Sequence, residues 1–170
     1  MKKYVITGGP GIGKTTVIEI LASKDYAIVA EAARMIIEEQ ETNGENIFPW
    51  TNLQKFQELV VKRQLALEEK TCGGIIFHDR SIIDGYGYSI LGNVTPPELI
   101  DKNAKNRYEK IFVLEPLPLY QNDVSRKENE DDAKKIHNAI IEAYRHFGYE
   151  PVLIPVLPPE ERAAYILSQI

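Results

Sequence analysis

Residues 8 to 15 read Gly8-Gly9-Pro10-Gly11-Ile12-Gly13-Lys14-Thr15, the spacing G-x-x-x-x-G-K-[ST]. Glycines at these positions let backbone N–H groups approach phosphate oxygens with no Cβ in the way. A lysine and a hydroxyl at the last two positions have no folding reason to be there. Lys14 is expected to reach the β- and γ-phosphates of a nucleotide, and Thr15 to ligate Mg²⁺, with Thr16 completing the cradle. The flanks agree with this chemistry. Lys3–Thr7 is a short apolar, β-prone run, and Thr16–Ala22 opens as a helix. Unpaired N–H donors and the positive end of the helix dipole would then face the phosphates.

A second chemical stretch runs Gly74-Ile75-Ile76-Phe77-His78-Asp79-Arg80-Ser81. An apolar strand ending in a carboxylate, paired with a glycine loop, predicts Asp79 beside Mg²⁺. Arg80 follows at the carboxyl end of the strand, where open α/β sheets bind ligands. Its guanidinium can hold a phosphate or ribosyl oxygen, or else pair with Asp84 or Glu31. Ser81 reads as a helix cap. Glu31 ends the second apolar run and could accept a proton from an attacking hydroxyl, or serve as a first-turn helix glutamate. Arg34, one turn on, is a candidate substrate anchor. Trp50, in the Phe48-Pro49-Trp50 loop, could stack on a base, and Arg63 points to the core side of its helix. Arg126 and Lys127 lie in a charged stretch that would form a lid around residues 120–132, with cations closing over the transferring phosphoryl group. The 155–158 segment offers a backbone against which an adenine ring could rest.

The elements that must position these groups alternate apolar runs with helical periodicity, which predicts an α/β fold with a mostly parallel sheet. Strands are expected near residues 3–7, 26–30, 74–78, 110–114 and 151–154. The third and fourth are nearly continuous apolar runs, as in strands covered on both faces. Between them, Glu31–Gln40 carries Ala32, Met35 and Ile36 on one face. Thr51–Gln54 reads as a capping box opening a helix with Leu53, Phe56, Leu59, Val60, Arg63 and Leu67 on one stripe. Pro96 is expected in the first turn of a later helix. Ala133, Ile136, Ile140, Tyr144 and Phe147 form an apolar face that Gly148 terminates, and residues 158–161 start the last helix.

With 170 residues, 44% of them hydrophobic, the chain is expected to form one domain over 1–170 with a proper core. A net charge of −5 argues against non-specific nucleic-acid binding. No apolar run is long enough to cross a bilayer. Met1-Lys2-Lys3 runs straight into the first strand, which does not read as a signal peptide. Cys72 is the only cysteine, so it cannot make an internal disulfide and fits a reducing cytoplasm. His78, His137 and His146 are scattered and suggest no transition-metal cluster.

Together GGPGIGKTT, EAAR at residues 31–34, the Pro-Trp loop with Arg63-Gln64, FHDRSIID and the closing AYRHFGYEPVLIPVLPPEERAAYIL resemble the NadR-like AAA-type P-loop ATPase/kinase family. That family is related to a ribosylnicotinamide kinase domain. The resemblance covers essentially the whole chain. It implies the fold of nucleoside and nucleotide kinases: a three-layer α/β P-loop NTPase with a parallel five-stranded sheet in order 2-3-1-4-5. Asp79-Arg80-Ser81 is similar to the acid-Arg-Ser motif of deoxynucleoside kinases, where the acid serves the metal and the arginine the substrate. Glu31 falls where those enzymes keep their base. No sensor motif or second domain is evident, which disfavours a hexameric motor. The expected activity is γ-phosphoryl transfer from Mg·ATP to a nucleoside, nucleotide or ribosyl acceptor by a monomer or homodimer. The alternative is a nucleotide-dependent switch that binds a protein or lipid partner. ATP is the expected nucleotide; no N-K-x-D sequence is present to read guanine, and GTP read through the backbone stays the alternative.

Overall fold

The computed structural model describes residues 1–116 and 130–170. Strands β1 (Lys2–Thr7), β2 (Ala27–Val29), β3 (Ile75–Asp79), β4 (Lys110–Leu114) and β5 (Val152–Ile154) form one sheet in the order β2-β3-β1-β4-β5. Every pairing is parallel. Parallel neighbours need crossovers, and helices supply them. They are α1 (Lys14–Ala22), α2 (Ala32–Asn43), α3 (Leu53–Lys70), α4 (Ile82–Leu91), α5 (Glu98–Asn103), α6 (Glu130–His146) and α7 (Pro159–Ser168).

Strand alternation sends successive side chains to opposite faces. Tyr4, Ile6, Phe77 and Phe112 pack with Val17 and Leu21 of α1 and with Ala163 and Ile166 of α7. Val5, Ile111 and Val113 face the other way, onto Val61 of α3, Ile82 and Ile83 of α4, Ile100 of α5, and Ile140 and Tyr144 of α6. Both faces of the central strands are therefore covered, as their unbroken apolar runs require.

Three local expectations shift. The capping box falls to the neighbouring residue: Asn52, not Thr51, caps α3 by accepting from the Lys55 N–H at 3.1 Å. The Thr51 hydroxyl is engaged elsewhere, accepting from the Phe48 N–H at 2.9 Å and donating to the Asn46 carbonyl. Pro96 precedes α5 rather than entering its first turn, because Pro97 holds the N-cap with extended backbone. The buried stripe of α3 is Phe56, Gln57, Val61, Gln64 and Glu68, while Leu53, Leu59, Val60, Arg63 and Leu67 are half-buried. An apolar count misses this stripe because polar partners, described below, hold Gln64 and Glu68 inside.

The central position of β1 matters most for the site. Its carboxyl end feeds the glycine loop between β3 and β4, and the register sets Ile6 beside Asp79 and Thr7 beside Val113.

Candidate active site

The loop over residues 8–13 turns through left-handed backbone to reach α1. Gly13, at φ 85°, is the N-cap of α1. A Cβ on Gly8 would stand 2.5 Å from Ile12 Cδ1 and 2.9 Å from the Leu114 carbonyl oxygen, so no larger residue fits where the loop leaves β1. The Lys14 ammonium folds back under the loop and donates to the Gly9 carbonyl at 2.6 Å and more weakly to that of Gly8 at 3.4 Å. Lys14 is buried, whereas Thr15 and Thr16 are exposed beside it at the start of α1. Helix α6 closes on the loop from behind, where His137 Nδ1 accepts the Gly9 N–H at 3.1 Å. Burial, then the nearby Lys14 charge, push the imidazole pKa down against an opposing pull from Glu115. A neutral ring with a free lone pair on Nδ1 is what that bond needs.

Asp79 and Arg80 arrive at the same mouth from β3. Arg80 has φ 66°, uncommon for a non-glycine residue, at a cost of about 1–2 kcal/mol. Its surroundings hold it there. The Arg80 N–H donates to the Ile6 carbonyl at 3.0 Å. The guanidinium donates through Nε to Glu31 at 3.0 Å, and through Nη1 to Asp84 at 3.1 Å and to the Gly8 carbonyl at 3.2 Å. Tyr88 lies beneath it, with Cζ 5.6 Å from the ring centroid. Burial works against the charge, but Tyr88, Glu31, Asp84 and Asp79 outweigh it and hold the pKa well above the ordinary arginine value.

Asp84 is the hub behind Arg80. One carboxylate oxygen accepts from the Thr7 hydroxyl and from Arg80, and the other from the Ser81 N–H at 2.9 Å and the Tyr144 hydroxyl at 2.5 Å. Ser81 Oγ in turn accepts from the Ile83 N–H, completing a capping box at the start of α4. This one carboxylate ties β1, β3, α4 and α6 to the arginine.

Asp79 is different. It is 8% exposed, and its Oδ1 has no hydrogen-bond partner. Burial, then the Glu31 charge, push its carboxyl up to about 6, although Lys14 and Arg80 pull the other way. An orphaned, buried carboxylate oxygen is expensive unless something arrives to use it.

The remaining sequence candidates are less gathered. Glu31 is the N-cap residue of α2 and faces the crevice through its bond to Arg80. Arg34 is exposed on α2. Arg63 makes a bidentate pair with Glu39, at 2.6 and 2.8 Å, joining α3 to α2. Trp50 is 66% exposed and stacks on Phe48, with centroids 5.0 Å apart. Arg126, Lys127 and most of the expected lid lie outside the described residues.

Below the site sits a buried charge cluster absent from the sequence reading. Glu68 accepts from Arg107 at 2.7 Å, from the Tyr108 hydroxyl at 2.9 Å and from Lys3 at 3.4 Å, with His78 Nδ1 3.5 Å away. Burial would raise the Glu68 carboxyl, but His78, Arg107 and Tyr108 outweigh it and hold it at about 2. One turn along α3, Gln64 donates to Glu68 and to the Arg80 carbonyl, both at 3.4 Å, linking cluster to site. Ser81-x-x-Asp84 was the readable signal for the Asp84 hub. Nothing local in the sequence announces Tyr144, His137 or Glu68, whose partners are, Gln64 apart, distant in the chain.

A family model described as an AAA domain matches residues 3–162, and the chain belongs to that family. No curated protein sequence matches it significantly. Among solved structures, a NadR protein in complex with NR superposes with a TM-score of 0.72 at 18% identity, over 98% of this chain and 49% of that one. The chain thus spans about half the length of the NadR chains it matches. A deoxyadenosine kinase from M. mycoides gives a TM-score of 0.62 at 16% identity, over 98% of this chain and 97% of that one. Shikimate kinase from Aquifex aeolicus gives 0.54 at 18% identity, over 98% and 94%. These likenesses show the fold, a parallel 2-3-1-4-5 sheet shared with small-molecule kinases.

Proposed function

We propose that this chain is a Mg·ATP-dependent phosphotransferase acting on a small hydroxyl- or phosphate-bearing acceptor of the nucleoside, nucleotide or ribosyl type. The observation that carries the reading is the meeting of Asp79 and Arg80 with the glycine loop and Lys14, with one Asp79 oxygen left unpartnered. Positioning and charge neutralisation are most of what phosphoryl transfer asks of a protein. Loop N–H groups, the α1 N-terminus and Lys14 bind the polyphosphate. On this reading Lys14 exchanges its Gly8 and Gly9 carbonyl contacts for phosphate oxygens.

The donor set suits Mg²⁺, a hard cation that binds through one or two protein oxygens and takes the rest from phosphate and water. Asp79 Oδ1 and the Thr15 hydroxyl would hold it, and it would neutralise charge on the β- and γ-phosphates. Arg80 is fixed by Glu31 and Asp84 so that its remaining donors meet transferring charge without reorganisation. Glu31 and Asp79 are the two candidate bases. Arg126 and Lys127 serve as lid cations in this scheme. Arg34, Arg63 and Trp50 are the acceptor-side candidates, with the exposed Trp50 face free for a ring. The NadR relative solved with AMP-PNP, together with the missing N-K-x-D sequence, supports adenine over guanine. A single exposed Cys72 fits a reducing compartment.

A small-molecule acceptor screen that reads ADP release tests the proposal. At least one nucleoside, nucleotide or ribosyl compound should raise release well above the acceptor-free rate. ADP release that no acceptor stimulates would mark a slow ATPase or switch instead.

A further inference from the structure

Arg162, in the first turns of α7, is 2% exposed. Its guanidinium donates to the carbonyls of Ile12 at 2.8 Å through Nη1, Glu115 at 2.9 Å through Nη2, and Pro155 at 3.1 Å through Nε. Ile12 belongs to the glycine loop, Glu115 follows β4 directly, and Pro155 follows β5 directly. One planar fork therefore joins three loops at the carboxyl edge of the sheet, where the nucleotide is expected.

Its charge is not balanced as that of Arg80 and Arg107 is. Arg80 rests on Glu31 and Asp84, and Arg107 on Glu68. Arg162 forms no ion pair among the described residues, only bonds to neutral carbonyls. Burial pushes its guanidinium below the ordinary value, and Glu115 offsets this only in part. Arginine still remains charged. A buried cation without a counter-charge is costly, and an apolar side chain would tie down a loop more cheaply. Its position supplies the missing partner. Nη1 lies 3.9 Å from where a Cβ on Gly13 would stand, directly behind the turn from which α1 starts.

We propose that Arg162 is a positioning residue for the phosphate chain: it fixes the Ile12–Gly13 turn against the loops after β4 and β5, and its charge is balanced by bound polyphosphate. The inference rests on the reading of residues 8–15 as a polyphosphate cradle. Arg162 takes only the Ile12 carbonyl of the loop, so it leaves the loop N–H groups to other partners. Low local dielectric lets the guanidinium act through the thin loop wall.

Titration calorimetry of Mg·ATP and Mg·tripolyphosphate against wild type, Arg162→Lys and Arg162→Gln tests it, at low and high salt. Tripolyphosphate has no base, so it isolates the phosphate grip from the loop at Pro155. Arg162→Lys keeps the charge but cannot span three carbonyls. It should weaken both ligands by about 3-fold or more and keep the wild-type salt dependence. Arg162→Gln should weaken both by about 10-fold or more, with a shallower salt dependence because one cation is gone. A folded variant that binds tripolyphosphate within 2-fold of wild type overturns the proposal. So does weakened ATP binding with unchanged tripolyphosphate binding, which would assign Arg162 to the base side. An unchanged salt dependence in folded Arg162→Gln would refute the charge role. Where Arg162→Gln gives no cooperative thermal transition, Arg162→Lys decides by the same affinity criteria. Wild type that binds neither ligand would sink the cradle reading itself, a separate result.

Discussion

Asp79→Asn should make the ligand-free protein more stable at neutral pH, although it removes a group proposed to hold Mg²⁺. Folding moves the Asp79 carboxyl from 3.8 to about 6. That is about two units, and at 1.36 kcal/mol per unit it amounts to about 3 kcal/mol. The sign follows from proton linkage. The folded chain binds this proton more tightly than the unfolded chain does, so stability falls as pH rises from about 4 to about 6 and is level above. At pH 7.5 wild type carries the whole penalty. Asparagine is nearly isosteric and permanently neutral, so it carries none.

Thermal unfolding in EDTA at pH 7.5 should therefore place Asp79→Asn above wild type by about 6–12 °C, taking about 2–4 °C per kcal/mol for a chain of this size. At pH 4, where the wild-type carboxyl is already protonated when folded, the gap should all but close. Mg²⁺ with a nucleotide should then stabilise wild type much more than the variant, because only wild type offers the carboxylate. A variant no more stable than wild type at pH 7.5, or equally favoured at both pH values, would refute the argument that Asp79 is held charged at a cost until a cation arrives.

Lys14→Ala should lower Mg·ATP affinity by about 100-fold, since it removes the buried ammonium beneath the loop; titration calorimetry showing equal binding would contradict the assignment. Glu68→Gln should cost about 3–5 kcal/mol in denaturant unfolding at pH 7, because it leaves Arg107 and its neighbours around a neutral group. Its sign is opposite to that of Asp79. The contribution is complete above the unfolded value of 4.5 and is lost as pH falls through the folded value of about 2, so the gap from wild type should narrow in acid. Residues 122–132 carry one apolar side chain, and they should gain hydrogen-exchange protection when a non-hydrolysable ATP analogue binds. Unchanged exchange there, beside clear protection at the glycine loop, would remove Arg126 from the mechanism.

Legibility in this sequence follows the range of the interaction. Strand β4 falls at Lys110–Leu114 as the pattern predicts, and the other strands within about two residues at each end, because burial on both faces writes itself as a contiguous apolar run. The glycine loop and the Ser81 cap were equally readable, since the residue pattern that marks each is local. Arg80 could be placed at a strand end, but its choice between Asp84 and Glu31 could not be read, and the structure takes both. The buried stripe of α3 was misread for the same reason. Gln64 and Glu68 look like surface residues until Arg80, Tyr108 and Arg107 come in from far along the chain to satisfy them. Arg162 lies 150 residues from Ile12, in a segment whose composition reads as an ordinary amphipathic helix. Local pattern reports which side chains leave water, whereas long-range pairing decides which polar ones can afford to, and in this fold the site is built largely from the second kind.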